Sequence, residues 1–207
     1  MINVLLVEDS RITRELIENR IASSDNYVVT ASIENAANAE IACMNGNIDL
    51  ILMDICTAED ESGLTAAASI KKRYPSIKIV MMTSMPEHSF LQKASEAGCD
   101  GFWYKEYGDM DLIDVCTRVM HDEKIWPHQI PDPSIGLINS SDLTEREFAV
   151  LRELVLGHKY EEIAKNLDIS ENTVKYHIKN LLQKTGYRST LQLVVDVVDK
   201  KLVLPKF

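Results

Sequence analysis

The chain is poor in cysteine and proline, short of positive charge, and without a long apolar run. Its four cysteines, Cys43, Cys56, Cys99 and Cys116, stand far apart and never form a Cys-x-x-Cys pair. That argues against a disulfide framework and against a thiolate zinc site, so they are expected to be reduced, small core residues. No stretch approaches the roughly 20 apolar residues of a membrane span. The opening Met-Ile-Asn-Val has no charged region ahead of an apolar one, so a cytoplasmic protein with no membrane association is expected. With 207 residues, 45% of them apolar, the chain is long enough for two domains, each with its own core. Only 22 Lys and Arg oppose 32 Asp and Glu, for a net charge of −10. The deficit is uneven: residues 1–140 hold 11 basic and 22 acidic side chains, net −11, and residues 141–207 hold 11 and 10, net +1. An acidic half joined to a near-neutral half with clustered lysines suggests two jobs.

In the first half the pattern is strand, helix, strand. Ile2 to Val7 is a short apolar run rich in β-branched residues, and Ile12, Leu16, Ile17 and Ile21 follow at helical spacing, with Asp9 or Ser10 as cap. Tyr27 to Ser32 reads as a strand and Ala36 to Met44 as a helix. Asp49 to Asp54 is an apolar run ending in one carboxylate, the mark of a strand buried on both faces of a parallel sheet. A helix from about Leu64 to Arg73, a strand Ile77 to Thr83, a helix from about Glu87 to Ala97 closed by Gly98, a strand Gly101 to Lys105 and a helix around Leu112 to Met120 complete it. Five alternations imply an α/β, doubly wound, five-stranded parallel sheet.

The strand ends carry the chemistry. In such a sheet Glu8 and Asp9, Asp54, Thr83 and Lys105 share the carboxyl edge, where ligands bind. Three carboxylates that close repel one another, and a hard divalent cation is the usual resolution. Mg²⁺, which favours one or two carboxylates plus a phosphate oxygen, points to phosphoryl chemistry on a carboxylate. Thr83 and Lys105 could each meet a phosphoryl oxygen. The bland readings are a helix cap for Glu8 and Asp9, a strand end for Thr83 and a surface cation for Lys105.

Val-Glu-Asp-Ser, Leu-Met-Asp54, Met-Thr83-Ser84 and Gly-Phe-Trp-Tyr-Lys105, in this order and spacing, resemble the receiver domain of two-component response regulators, a flavodoxin-like fold, over about residues 1–121. The resemblance implies that Asp54 accepts a phosphoryl group from a sensor histidine kinase. It also implies that Asp9, Asp54 and the backbone carbonyl of Cys56 hold Mg²⁺, with Glu8 acting through water. Thr83 and Lys105 would grip the phosphoryl group, and Phe102 would be the aromatic switch, turning inward on phosphorylation. The loop Ile55 to Gly63 departs from the family: it lacks the usual Met-Pro and is one residue longer.

Three of the six prolines, Pro127, Pro131 and Pro133, fall with Gly136 in an aperiodic stretch, so residues 122–141 read as a linker. Thr144 and Glu147 then form a capping box for a helix bearing Phe148, Leu151, Leu154 and Val155. Tyr160 to Leu167 is a short helix, and Asp168-Ile169 a tight turn. Ser170 caps a third helix, Glu171 to about Thr185, whose outward side carries Asn172, Lys175, Tyr176, Lys179 and Gln183. Short helix, turn and capped helix is the arrangement of a helix-turn-helix, although exposed lysines are also an ordinary solvated face. Leu143-Thr-Glu-Arg-Glu, Gly157, Glu162-Ile-Ala164, Ile169-Ser170, Thr173-Val-Lys175, His177 and Lys184-x-Gly186 resemble the LuxR-type helix-turn-helix of the NarL/FixJ group. The resemblance implies an all-α four-helix domain over 142–207 that binds double-stranded promoter DNA, with Lys175, Tyr176 and Lys179 at base edges. Ser170, Thr173, Lys184 and His177 would hold phosphates, although His177 could equally be a buried structural histidine. Thr185 stands where the family has an apolar residue. On the last helix, Thr190 to Lys201, Leu191, Val194, Val195 and Val198 form a stripe beside Leu193 and Val197, and the surplus implies a homodimer in the active state.

The expected function is a transcription regulator switched by phosphorylation of Asp54, and not a true enzyme. The alternatives are a phosphorylation-independent DNA binder that uses its first half to dimerise, and a phosphorylation-dependent protein-interaction module.

Overall fold

The computed structural model describes residues 1–57, 62–106, 110–200 and 202–203, and for His88 the backbone only. Two compact units emerge, the first of Met1–Thr83 with Phe90–Gln129, the second of Ser84–Ser89 with Ile130–Phe207.

The first unit is a parallel sheet in the order β2-β1-β3-β4-β5, made of β1 (Ile2–Val7), β2 (Tyr27–Ile33), β3 (Leu50–Asp54), β4 (Lys78–Thr83) and β5 (Gly101–Tyr104). The helices between them are α1 (Arg11–Ala22), α2 (Ala39–Asn45), α3 (Gly63–Arg73), α4 (His88–Glu96) and α5 (Leu112–Met120). Every residue of β3 is buried, which is why the strand reads as a continuous apolar run instead of an alternating one. Val4, Leu6, Leu50, Leu52, Val80 and Met82 pack on one face against Ile17 and Ile21 of α1 and Val115, Cys116 and Val119 of α5. Strand alternation turns Leu5, Val7, Ile51, Met53, Ile79 and Met81 to the other face.

Ser10, not Asp9, caps α1, accepting from the Thr13 amide. The expected helix at Ala36 opens instead as a 3-10 turn, Ala36–Asn38. Its first amides go elsewhere, Ala36 N to Thr57 Oγ1 at 3.0 Å and Ala37 N to Asn35 Oδ1 at 2.8 Å. β5 stops one residue short of Lys105, whose amide donates to the Thr83 carbonyl at 2.9 Å.

The two edges of the sheet differ. β2 is unpaired on its outer side among the described residues, whereas β5 is extended by Ile125, which returns after α5 and pairs with Gly101. Its amide donates to Asp100 O at 3.0 Å and its carbonyl accepts from Phe102 N at 2.9 Å. The buried Asp100 anchors this edge through Lys71 and Lys124, each at 2.9 Å, and the Ile79 amide at 3.0 Å. Burial alone would raise its pKa, but these donors outweigh it and hold the carboxyl below its ordinary value.

The second unit contains α6 (Glu145–Val155), α7 (Tyr160–Asn166), α8 (Glu171–Thr185) and α9 (Thr190–Asp199), preceded by a hairpin of β6 (Ser134–Ile135) and β7 (Ile138–Asn139). The expected capping box at Thr144 and Glu147 is present, and Ser170 Oγ accepts from Thr173 N at 3.1 Å. Asp168 turns the chain between α7 and α8 with φ +51°, a left-handed conformation that Asp tolerates. Phe148, Leu151, Ile163, Val174, Ile178, Leu181, Leu193 and Val197 close the core. Thr185 is 1% exposed, and its hydroxyl donates to the Leu181 carbonyl, so an apolar position accommodates a satisfied polar atom. α9 ends at Asp199; Lys201, expected within it, lies outside the described residues.

The hairpin falls inside the stretch expected as a linker. Ile135 is fully buried in the helical core, and Asp132 accepts from Ser140 Oγ, Ser141 N and Oγ, and Asn139 Nδ2 at 2.8–3.2 Å. Gly136, at φ +60°, lies so close to the end of α8 that a Cβ would sit 2.0 Å from the Thr185 carbonyl oxygen.

Candidate phosphoacceptor site and nucleic-acid interface

Parallel strands deliver their carboxyl ends together, and β1, β3 and β4 do so here. Carboxylate oxygens of Glu8, Asp9 and Asp54 lie within 4.8 Å of one another. Glu8 is 1% and Asp54 6% exposed. Lys105 reaches across, with Nζ 3.1 Å from Asp54 Oδ2 and in direct contact with Glu8 Oε2. Thr83 ends β4 with 1% exposure, so all five residues expected at this edge come to it.

Electrostatics explains what the cluster needs. Burial, and then the Asp54 charge, push the Glu8 carboxyl up to about 7 against the pull of Lys105. Burial likewise raises Asp54, although Lys105 opposes it. Burial would lower Lys105, but the two carboxylates more than compensate and hold its ammonium charged. One ammonium cannot neutralise three carboxylates in so small a volume. The set therefore fits a divalent cation, and Glu8, Asp9 and Asp54 could hold one.

Neighbouring residues fix this geometry. A Cβ at Gly63 would stand 1.9 Å from the Asp54 carbonyl oxygen and 3.0 Å from Met53 Cγ, so only glycine lets α3 start against the end of β3. Cys56 forms a bridge with Ser62, bringing the chain back toward α3, while residues 58–61 of the longer acidic loop lie outside the described residues. Sequence reasoning missed two residues. Arg14 donates to the Glu8 carbonyl at 2.7 Å and to Glu34 Oε1 at 2.8 Å, and Thr57 is wholly buried under the Ala36 amide. No local pattern marks either, because Arg14 ties Glu8 to Glu34, 20 residues further on, and Thr57 acts on Ala36, 21 residues away.

Phe102 is 2% exposed, packed edge-on against Tyr104 with ring centroids 5.0 Å apart, and 6.5 Å from the ring of Trp126. Its ring thus already lies inward.

On α8 the expected residues divide. Lys175, Tyr176 and Lys179 share an exposed face, with Tyr176 62% exposed and Lys175 within 3.5 Å of Glu171. Ser170 and Thr173 join their hydroxyls at 2.8 Å in the helix cap. His177 is half-buried, its ring 5.6 Å from that of Tyr176. Lys184 turns away to brace α6, donating to Glu147 at 2.9 Å and to the Asp142 carbonyl at 3.0 Å. Burial would raise Glu147, but the Thr144 amide and Lys184 hold it below its ordinary value. On α9, Leu191 and Val195 are exposed at 71% and 59%, while Val194 and Val198 pack partly on the core and Leu193 and Val197 wholly within it.

A doubly wound parallel sheet with an acidic, lysine-braced carboxyl edge, followed by a capped helix-turn-helix, defines a two-part regulator of the receiver and DNA-binding class. Residues 4–117 match the family model of the response regulator receiver domain, and residues 141–197 that of the bacterial regulatory proteins, luxR family. The chain belongs to the response regulators, as a DNA-binding transcriptional regulator with a LuxR-type carboxyl-terminal domain. It is 29% identical to response regulator protein VraR of Staphylococcus aureus over 210 residues, covering 98% of this chain and 99% of that protein. Its identity to the VraR of Staphylococcus epidermidis is 28%, with the same coverage. Among solved structures, RcsB of Salmonella enterica serovar Typhimurium, bound to promoter rprA with the phosphomimetic BeF3−, superposes with a TM-score of 0.61. The identity is 18%, over 95% of this chain and 98% of that one. A LuxR-family response regulator from Aurantimonas gives 0.58 at 23% identity, over 62% of this chain and 91% of that one. At these identities the structural likeness is one of fold. No described helix is long and apolar enough to cross a membrane.

Proposed function

We propose that Asp54 accepts a phosphoryl group from the phosphohistidine of a sensor kinase, and that the modified chain binds promoter DNA as a homodimer in the cytoplasm. The observation that carries this reading is the group of buried Glu8 and Asp54 with half-buried Asp9, braced by Lys105. An Asp54 carboxylate oxygen attacks phosphorus, the P–N bond breaks, and its electron pair returns to the imidazole. Mg²⁺, held by Asp9 and Asp54 with the Cys56 carbonyl, and by Glu8 through water, would supply charge neutralisation between the carboxylate and the incoming phosphate. Lys105 and Thr83 then hold the phosphoryl oxygens, and the group adds roughly −1.5 to −2 charges at the sheet edge. The chain assists its own phosphorylation and dephosphorylation and acts on no other substrate.

In the second unit, Lys175, Tyr176 and Lys179 read base edges, Ser170 and Thr173 lie against the backbone, and Leu191 and Val195, beside Val194 and Val198, form the dimer contact. The receiver and DNA-binding domains are taken as 1–121 and 142–207, with the stretch 122–141 between them giving Ile125 to the first unit and the hairpin to the second. Incubation with acetyl phosphate and Mg²⁺ tests the acceptor. Phosphoryl incorporation is expected in the wild type and not in Asp54→Ala, and equal incorporation in both would refute the assignment.

A further inference from the structure

Two rings hold Phe102 inward, and they come from different parts of the first unit. Tyr104 lies two residues further along β5, on the same face of the sheet, and pairs in register with Thr83. Trp126 comes from beyond α5. It follows Ile125, whose pairing with β5 fixes the backbone at that point, and its ring meets Phe102 at 6.5 Å with a 33° tilt. The three rings form a row that begins beside the phosphoryl-gripping threonine and ends at the last ordered pairing before Pro127. Trp126 is half-buried, while Phe102 and Tyr104 are each 2% exposed, so it covers the row on the solvent side.

The row is also not at rest chemically. The Tyr104 hydroxyl is buried and has no hydrogen-bond partner among the described residues. A buried, unsatisfied hydroxyl is unfavourable, which leaves this arrangement less settled than an all-apolar cluster of the same shape. Thr83 borders Tyr104 across the sheet, Tyr104 borders Phe102, and Phe102 borders Trp126, so neighbours run unbroken from the end of β4 to Trp126.

We propose that Trp126 is the residue through which the state of the phosphoacceptor site reaches the segment joining the two units: its ring packs on Phe102 when Phe102 lies inward and is released when Phe102 turns out. This rests on the phosphoryl-switch reading above and adds a named positioning residue to it. Trp126 touches neither the phosphoryl group nor DNA, so its role shows in coupling and not in either binding event.

The test uses the full chain carrying Trp103→Phe, which leaves Trp126 as its one tryptophan. Acrylamide quenching of Trp126 fluorescence is measured with and without Mg²⁺ and beryllofluoride. Quenching is expected to fall when beryllofluoride is added, because the phosphoryl mimic shifts the population toward the inward, packed arrangement that the structure shows. It is expected to stay constant when Asp54→Ala is introduced as well. In parallel, Trp126→Ala is expected to take up phosphate at Asp54 at the wild-type rate while losing the donor-dependent gain in DNA binding, and Trp126→Phe to keep that gain. Should Trp126→Ala fold poorly, the quenching experiment and Trp126→Phe decide the matter. Quenching indifferent to beryllofluoride, in a chain whose DNA binding still responds to donor, would overturn the coupling role and leave the phosphoryl switch standing. DNA binding of the wild type indifferent to donor would instead overturn the switch, and the coupling role with it.

Discussion

Single residues set the limits of the acceptor site. Gly63 is the sharpest case, since any side chain there meets the Asp54 carbonyl at 1.9 Å. Gly63→Ala is expected to destabilise the first unit by at least about 1–3 kcal/mol in urea titration and to lower phosphoryl incorporation, because the backbone that must move is that of Asp54. Glu147 offers a pH test in the second unit. Its folded pKa is lowered, so its stabilisation is full above the unfolded value of 4.5 and is lost as pH falls through the folded one. Thermal melts should show stability dropping below pH 4.5. Glu147→Gln should flatten that decline, at a cost of about 1–3 kcal/mol at neutral pH from the broken Lys184 and Thr144 contacts. The expected site residues Glu8, Asp9, Asp54, Thr83 and Lys105 could be read from the sequence because each ends, or directly follows, an apolar run, and parallel strands end on one edge. The directions of Lys184 and Phe102 could not, because Glu147 and Trp126, distant in sequence, decide them.

At the scale of elements, the hairpin before α6 has the largest consequence. Its two-residue strands have no pattern of their own, and its prolines suggested a linker. What holds it is tertiary: the buried Ile135, the Asp132 acceptor cage and the Gly136 approach to Thr185. Strands such as β3 and helices such as α8 were visible because burial and caps write themselves into a continuous run, whereas a short hairpin borrows its stability from distant partners. Ile135→Ala in a 130–207 fragment is expected to cost about 2–5 kcal/mol in urea denaturation, as does loss of any fully buried Ile. A fragment starting at 142 is expected to be less stable than one starting at 130. The exposed face of α8 makes a second prediction. With Lys179 at a base edge, Lys179→Ala is expected to relax sequence preference with little change in the slope of log affinity against log salt, whereas a slope reduced by about 1 at unchanged preference would make it a phosphate contact instead.

For the whole molecule, the acidic first unit and the near-neutral second are one chain because the chemistry of one governs the binding of the other. That governance is the central claim, and both sites are needed to state it. Neither the acid cluster nor the lysine face alone distinguishes a switch from a constitutive DNA binder. The exposed Leu191 and Val195 are the proposed dimer contact of the bound form. Leu191→Glu with Val195→Glu should leave phosphoryl incorporation intact and abolish donor-dependent dimers in analytical ultracentrifugation. The most direct measurement is a genomic DNA pull-down by the full chain with Mg²⁺, with and without acetyl phosphate, run beside Asp54→Ala. Enrichment of particular fragments that depends on donor and vanishes in Asp54→Ala is the predicted result, and enrichment of the same fragments regardless of donor would contradict the account.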